Sequence, residues 1–261
     1  MKKPESKKKI LVQSLERALD ILEIVQCSAE PVKAADIARK AGLGNNTAHN
    51  LIRTMFRRGY LSQDSSSRYF IGAKCYLLGS ARNKWRIFIE TIQPVLQKIA
   101  EDTGDSCVVG IESGGKLLLP AYIEGSGAII IQEKQEWNDK FHCTAAGKVI
   151  LAQKGLDWFK KIINSGTLPV FSPKTIADWI QLEKEIMLIA KQGYSVSIDE
   201  TREGISAIAV PIFDSTGHFQ GAIAQAFPTY FIETKKIIIR QRKDLLLAAA
   251  GQIRTSLVLS C

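Results

Sequence analysis

Residues Lys33 to Phe70 read KAADIARKAGLGNNTAHNLIRTMFRRGYLSQDSSSRYF, and this segment is the most informative about the fold. Two helical patterns are separated by a glycine turn, and two strand-like segments follow. The second helical pattern runs from Asn45 to Arg58. Its apolar residues recur at the spacing that gathers side chains on one face of a helix: Leu51, Ile52, Met55 and Phe56. The pattern predicts a helix that packs through this face and exposes the other.

The opposite face of this helix carries amide, imidazole and guanidinium groups and no carboxylate. Its residues are Asn45, Asn46, His49, Asn50, Arg53 and Arg57. Asparagine pairs bidentately with adenine and arginine with guanine, and both reach phosphates from a helix in the major groove. A face without such a role usually carries mixed Glu and Lys. The composition therefore predicts a helix that reads duplex DNA.

A shorter helical pattern, Ala34–Leu43, comes before the reading helix. Ile37, Ala38 and Ala41 are expected to face inward, and small residues let two helices cross closely. Gly42 tolerates the positive φ that a helix end commonly needs. Together the two patterns predict a helix-turn-helix.

The reading helix is followed by the pattern of a wing. Gly59 ends the helix, Tyr60–Leu61 begins one strand, residues 63–67 favour a turn, and Arg68–Phe70 returns as a second strand. A two-stranded flap beside a reading helix is a wing. Arg68 is expected to meet a phosphate from it.

The charge distribution places the basic excess in the same part of the chain. The chain of 261 residues has a formal net charge of +9. Residues 1–86 hold 17 basic and 7 acidic side chains, and the remainder holds 18 and 19. This asymmetry predicts a polyanionic partner for the N-terminal part. Residues 1–11 form a basic arm, which we interpret as a solvated tail in preference to a groove contact.

The cysteines and the hydropathy pattern bear on compartment and cofactors. Five scattered cysteines without a C-x-x-C pair favour neither a disulfide framework nor a zinc site. No glycine-rich phosphate loop is found, so no metal or cofactor is predicted. No segment has the apolar length that crosses a bilayer, and a reducing, cytoplasmic setting is expected.

The length suits two domains, and periodicity places the first at residues 12–74. A helix over Val12–Cys27, with Ser14 as its cap, completes the core of that domain. Residues 75–103 are predicted to be a helical linker that leads into the second domain. Pro94 is expected in the first turns of a helix or at a kink, because it lacks an N–H donor.

Strands and helices mix in the second domain, residues 104–258, which predicts an α+β fold around a sheet. Strands are predicted over 106–111, 116–123, 128–132, 194–198, 205–213 and 220–227. Helices are predicted from a Thr144 cap to Ala152, over 157–164, from Thr175 and Asp178 to Gly193, and over 233–257.

Several motifs, in order, resemble the IclR family of bacterial transcriptional regulators over nearly the whole chain. They are VQSLERALDILE at 12–23, GYL at 59–61, RYFIG at 68–72, TAAGKVILA at 144–152 and EGISAIAVPIFD at 203–214. The resemblance implies a winged helix-turn-helix joined by a helical linker to a GAF-like effector-binding domain. It also implies a homodimer or dimer of dimers on operator DNA. Repression is favoured over activation, and the implied effector is a small organic or sugar acid.

The reading helix departs from the family pattern. Many relatives open it with Lys-Ser-Thr and carry Arg or Lys at the position of Asn50, whereas this chain opens with Asn45-Asn46-Thr47. Thr47 keeps the hydroxyl that the family pattern assigns to a phosphate. The base preference is therefore expected to differ from that of those relatives.

The resemblance also implies which residues contact the effector. The matching positions are His142, Cys143, Ala145, Ala146, Asp199, Ile205, Ala207, Ala224 and Ala226. At three of these alanine positions relatives often have serine or cysteine, which predicts a less polar pocket.

Some single motifs allow other interpretations. His142 and Cys143 are adjacent, so in an extended segment they point to opposite faces and form no nucleophile–base pair. Gly147-Lys148 fits either an anion site at a helix start or tight packing with Lys148 exposed. Asp199 lies in a charged run that is typical of a solvated loop. Only the family resemblance makes it a candidate for the pocket.

The whole chain allows two other hypotheses about function. One is an enzyme for small acids with a basic, DNA-tethering end, which needs a nucleophile or metal set that the sequence does not show. The other is an interaction module for an acidic protein, and the asparagine-rich face argues against it. A DNA-binding regulator controlled by a small molecule is the preferred hypothesis.

Overall fold

The computed structural model describes residues 12–80, 84–127, 140–163, 166–234 and 238–257. The chain divides into two compact units, Met1–Arg82 and Asn83–Cys261. The predicted basic arm and the predicted strand at 128–132 lie outside the described residues. Among the described helices, none is both long enough and apolar enough to cross a bilayer.

The first unit is a helix-turn-helix with a small antiparallel sheet. Its elements are α1 (Gln13–Gln26), β1 (Val32–Lys33), α2 (Ala34–Lys40), α3 (Asn45–Arg57), β2 (Leu61–Gln63), β3 (Arg68–Ile71) and α4 (Ala73–Gly79). The strand order is β1-β3-β2. The predicted two-stranded wing therefore has a third strand, β1, in which Val32 pairs with Tyr69 of β3. The strand β1 was not predicted, because its two residues are too few to show the alternation of buried and exposed side chains that marks a strand.

The core of the first unit is formed where α1, α2 and α3 meet. Ile21, Ile37 and Ile52, one from each helix, are each completely buried. Burying an isoleucine contributes on the order of 2 kcal/mol. Two expectations were wrong. Phe56 is 43% exposed, with its ring edge-on to Tyr69, and Ser14 lies inside α1, whose first flanking residue is Val12 without a side-chain cap.

The second unit consists of a five-stranded antiparallel sheet and six helices in its described part. The elements are α5 (Lys84–Thr103), β4 (Ser106–Ser113), β5 (Lys116–Ile123), α6 (Ala145–Lys154), α7 (Leu156–Ile162), α8 (Trp179–Gln192), β6 (Ser195–Ile198), β7 (Ile205–Phe213), β8 (Phe219–Pro228), α9 (Tyr230–Thr234) and α10 (Ile238–Ser256). The strand order is β5-β4-β8-β7-β6.

The two faces of this sheet carry different side chains. On one face Ile208, Val210 and Ile223 pack in the cluster that includes residues of α5 and α10. On the other face Ala209 and Ala224 pack in the cluster that includes residues of α6 and α8. Because neighbours on a strand point to opposite faces, the alternation of isoleucine or valine with alanine produces both layers. The alanine face leaves room for a cavity.

The ends of the helices follow from their capping residues. Thr144 Oγ1 accepts a hydrogen bond from the Gly147 N–H at 3.1 Å, as its predicted role as the cap of α6 requires. Asp178 Oδ1 accepts from the N–H groups of Ile180 and Gln181, so Asp178 alone is the cap of α8 and Thr175 lies before it. Gly193 ends α8 with φ +77°.

Two further positions concern the helices around the sheet. Pro94 lies in the interior of α5, so of the two predicted places, the first turns of a helix or a kink, it does not occupy the first. Gly147 lies where α6 packs against the preceding turn, because a Cβ there would be 2.5 Å from Phe141 Cα. Only glycine lets α6 begin this close to residue 141.

Candidate reading surface and effector pocket

The reading surface is the exposed face of α3, and seven of the predicted DNA contacts lie on it. All seven are exposed: Asn45, Asn46, Thr47, His49, Asn50, Arg53 and Arg57. On the apolar side Ile52 and Met55 are buried, at 0% and 7% exposure. The structure thus separates a packing side from a polar side, as the periodicity predicted.

In the structure's described residues, none of the seven side chains has a hydrogen-bond or ion-pair partner, whereas other charged groups of the first unit do. Arg39, on α2, donates to Asp36 Oδ1 at 2.7 Å. The polar groups of α3 are therefore available to an outside ligand.

The eighth predicted contact, Arg68, is engaged within the wing. Its Nε donates to Asp64 Oδ2 at 2.9 Å, and Asp64 Oδ1 accepts from the N–H groups of Ser66 and Arg68, also at 2.9 Å. The backbone hydrogen bond from Arg68, with the Arg68 guanidinium and the Ser66 N–H, lowers the pKa of Asp64. Ser67 has φ +59° in this turn. Asp64 thus fixes both the turn and the stem of Arg68.

The candidate effector pocket lies between α6 and the alanine face of the sheet. Its cavity volume is ≈ 60 Å³, which is small for a small-molecule site. Six of the nine predicted effector contacts line it: Ala145, Ala146, Ile205, Ala207, Ala224 and Ala226.

His142 and Cys143 do not line this pocket. His142 is completely buried, and its Nε2 lies 2.8 Å from the Pro169 carbonyl oxygen. Burial lowers the pKa of His142, which favours a neutral ring. Burial raises the pKa of the Cys143 thiol to about 12. A thiol that stays protonated is a poor nucleophile.

Asp199, the third predicted contact outside the pocket lining, organises the loop beside it. Its Oδ1 accepts from the Gly204 N–H at 2.9 Å and from Thr229 Oγ1 at 2.5 Å. Its Oδ2 lies 2.8 Å from Lys174 Nζ. Burial opposes ionisation, but the bonds from Lys174 and Thr229 prevail and lower the pKa of Asp199. Asp199 therefore holds the loop that brings Thr201 to the pocket.

Nine lining residues were not predicted as ligand contacts. They are Ser106, Val108, Leu117, Leu119, Tyr122, Thr144, Ser197, Thr201 and Ser206. Sheet register is the signal that finds two of the polar ones, because Ser106 pairs with Ala226 and Ser197 pairs with Ala207. These pairings can be inferred only when the order of the strands in the sheet is known, and a single sequence does not give that order.

Lys148 lies on α6 and is completely buried. Its ammonium donates to Glu200 Oε1 at 2.6 Å, to the Val196 carbonyl at 2.7 Å and to Glu185 Oε1 at 3.1 Å. Burial raises the pKa of Glu200 even though Lys148 opposes that rise. Of the two interpretations of Gly147-Lys148, the tight packing is found, but the expected exposure of Lys148 is wrong.

Comparison with known families and structures identifies the same two units. The model of the IclR helix-turn-helix domain matches residues 14–65. The model described as bacterial transcriptional regulator IclR, C-terminal, matches residues 84–255. Together they cover the reading helix and the pocket.

Individual relatives are similar to this chain over most of its length. The HTH-type transcriptional regulator BhcR of Paracoccus denitrificans is 28% identical over 220 residues, 84% of this chain and 78% of the relative. The transcriptional repressor IclR of Escherichia coli is 25% identical over 249 residues, covering 92% and 91%. A solved IclR homolog of Microbacterium hydrocarbonoxydans, complexed with 4-hydroxybenzoate, superposes with a TM-score of 0.80 at 20% identity, covering 94% and 98%.

Proposed function

The chain belongs to the IclR family of bacterial transcriptional regulators, and on that premise we propose how its two units divide the work. The first unit binds operator DNA through the exposed face of α3 and grips phosphates with the wing. The second unit binds a small-molecule effector in the pocket between α6 and the sheet. Binding of the effector changes the affinity of the protein for its operator.

The observation that carries the DNA-binding role is the state of the α3 side chains. Side chains such as Asn50 and Arg53 are exposed and have no partner in the structure's described residues. They are the side-chain types that pair bidentately with adenine and guanine edges. An exposed helix face with amides and guanidiniums but no carboxylate suits a nucleic acid better than an acidic protein, because simple charge attraction requires no amides.

The effector role rests on the pocket. An effector shifts a regulator only by binding one of its states more tightly than another. The pocket walls come from α6, from the sheet and from the loop fixed by Asp199. A ligand between these elements would change their relative positions, and this supports the pocket as the input of the switch.

A second copy of the chain completes the proposed assembly. Two reading helices of a symmetric dimer fit successive major-groove turns of a palindromic operator. The first unit exposes apolar side chains suited to such a contact: Val12, Leu15 and Leu19 on or beside α1, and Tyr76, Leu77 and Leu78 on α4. The working form is a homodimer or a dimer of dimers. It acts in the cytoplasm on chromosomal DNA, as a repressor in preference to an activator.

Fluorescence anisotropy with the duplex upstream of the protein's own gene tests the proposal. The full chain should bind this duplex more tightly than a scrambled duplex, and the affinity should fall steeply as salt rises, because phosphate contacts release counterions. Plain duplex DNA should also displace any acidic protein that the basic unit captures. Equal affinity for both duplexes across the salt range would reject operator recognition.

A further inference from the structure

A groove in the first unit runs along β1 and α2, outside the reading face of α3. Its volume is ≈ 430 Å³. Among the described residues that line it, four side chains are basic and two are acidic: Lys33, Arg39, Lys40 and Arg68, with Glu30 and Asp36. Lys33 and Lys40 were not among the predicted DNA contacts. The groove is therefore a second basic surface of this unit.

Two of these cations lie directly opposite each other in the small sheet. Lys33 of β1 pairs with Arg68 of β3, and the preceding pair is Val32 with Tyr69. Val32 and Tyr69 pack in the core of the unit, so Lys33 and Arg68 point to the outer face. Side chains directly opposite in an antiparallel pair lie about 5 Å apart, and like charges there are destabilising. The sheet thus holds an unfavourable contact on its outer face.

The carboxylates near the groove do not neutralise Lys33. Asp36 accepts from Arg39 at 2.7 Å, and Asp64 accepts from Arg68 Nε at 2.9 Å. In the described part of the chain, Lys33 has no ion-pair partner, and the terminal nitrogens of Arg68 make no hydrogen bond. The Lys33 ammonium and the outer edge of the Arg68 guanidinium are therefore available, side by side, to one anion.

The place of this pair in the unit indicates which anion it meets. When a reading helix lies in the major groove, the helix before it crosses the sugar-phosphate backbone. Lys33 comes directly before that helix, α2, and is exposed. Lysine and arginine are both donors to phosphate oxygens. A phosphate between the two side chains would also remove their mutual repulsion, because each cation would then face a negative charge.

We propose that Lys33 and Arg68 together bind one backbone phosphate of the DNA duplex. The contact adds affinity and orients the unit, but it carries no base information. The inference rests on the proposed operator binding and extends the DNA contact to β1, beyond the reading helix and the turn of the wing. It also gives the unfavourable pairing of Lys33 with Arg68 a function, because the pairing is relieved only in the complex.

The salt dependence of DNA binding tests the phosphate contact. In anisotropy titrations of the full chain, Lys33→Gln should weaken binding to the upstream duplex and to its scrambled counterpart by the same factor. The slope of log affinity against log salt should fall by about 1 per bound chain. Lys33→Arg, which keeps the charge, should retain the parent's slope. Lys98→Gln removes an exposed charge from α5 and is the control. A slope in Lys33→Gln equal to the parent's would overturn the proposal.

Charge reversal separates a phosphate contact from a structural role. Lys33→Glu places an opposite charge across from Arg68 and should stabilise the small sheet, while it repels phosphate. Amide hydrogen exchange in α1, α2 and α3 should therefore be no faster than in the parent, although DNA binding is weaker than in Lys33→Gln. Faster exchange in both Lys33 variants, in step with their loss of DNA affinity, would make Lys33 a structural residue and overturn the proposal.

The same titrations distinguish this inference from the proposed function. If the parent prefers its operator but Lys33→Gln binds as the parent does, only the phosphate contact is wrong. If Lys33→Gln lowers the salt slope but the parent binds both duplexes equally, the phosphate contact stands and operator recognition fails. A parent chain that binds neither duplex would overturn both.

Discussion

The ammonium nitrogen of Lys148 lies 2.6 Å from Oε1 of Glu200, and Lys148 is completely buried. This contact joins α6, which carries Ala145 and Ala146 at the pocket, to the loop that carries Thr201. The ion pair of Lys148 and Glu200 thus helps to position two parts of the pocket lining, the start of α6 and the loop at Thr201. The pair matters to stability and to the geometry of the cavity.

Replacing Lys148 with methionine should destabilise the second unit by about 3–5 kcal/mol, because two glutamates would lose the buried cation that compensates them. Urea denaturation, followed by the fluorescence of the tryptophans, measures the free energy of unfolding. Lys154→Met provides the control on the same helix. Its ion pair with Glu112 is partly exposed and should contribute at most about 1 kcal/mol. Similar losses in the two variants would contradict a structural role for the Lys148 cluster.

Asp64 should determine how rigid the wing is. Asp64→Ala removes the acceptor of the Ser66 and Arg68 N–H groups, so residues 65–67 should become more mobile in ¹⁵N relaxation measurements. Asp36→Ala, which removes an acceptor of Arg39 alone, is the control and should leave the wing unchanged. Wing relaxation that is the same in both variants would show that the turn does not depend on Asp64.

The wing should also loosen in acid. The folded state lowers the pKa of Asp64 below its ordinary 3.8. The stabilisation is therefore complete well above that value and is lost as pH falls through the lower, folded-state pKa. Backbone amide shifts of Ser66 and Arg68 should report this transition below pH 3.8. Shifts that move with a midpoint above the ordinary value would contradict the hydrogen-bonded carboxylate.

His142 should make stability fall in mildly acidic solution. Its pKa is lowered from 6.5 by burial, so the unfolded chain takes up a proton that the folded chain resists. The stability is complete above pH 6.5 and decreases as pH falls towards the lower, folded-state pKa. Unfolding free energies at about pH 7.5 and 5.5 should differ less in His142→Gln than in the parent. His218→Gln, at a 70% exposed side chain, should retain the parent's difference.

The reading helix could be predicted from the sequence because its information is local. The apolar spacing of Ile52 and Met55 fixes the buried side, and the polar residues between them are then exposed. The strands β7 and β8 were predicted almost to their ends, because a turn at Gly204 precedes β7 and the turn at residues 214–217 separates it from β8. Phe56 was predicted to be buried, but its ring packs edge-on against Tyr69 of β3 and remains partly exposed. The helical spacing alone does not indicate this contact.

The pocket could be predicted only in part because its chemistry depends on distant pairings. Lys148 contacts Glu185 and Glu200, which are 37 and 52 positions away, and no local pattern indicates that a lysine in a helix is buried. Asp199 was placed in the pocket, but Thr229 and Lys174 hold it in the adjoining loop. The family resemblance identified the alanine wall, while the hydroxyl groups needed the register of the sheet.

Arg53→Ala tests whether the exposed face of α3 reads DNA bases. In anisotropy titrations with the upstream duplex and its scrambled counterpart, this variant should lose about 1–3 kcal/mol of operator affinity and part of its preference for the operator. Arg240→Ala, which removes the same charge from an exposed site on α10, should leave the preference intact. Unchanged operator affinity in Arg53→Ala, or an equal loss in both variants, would show that this face of α3 does not read bases.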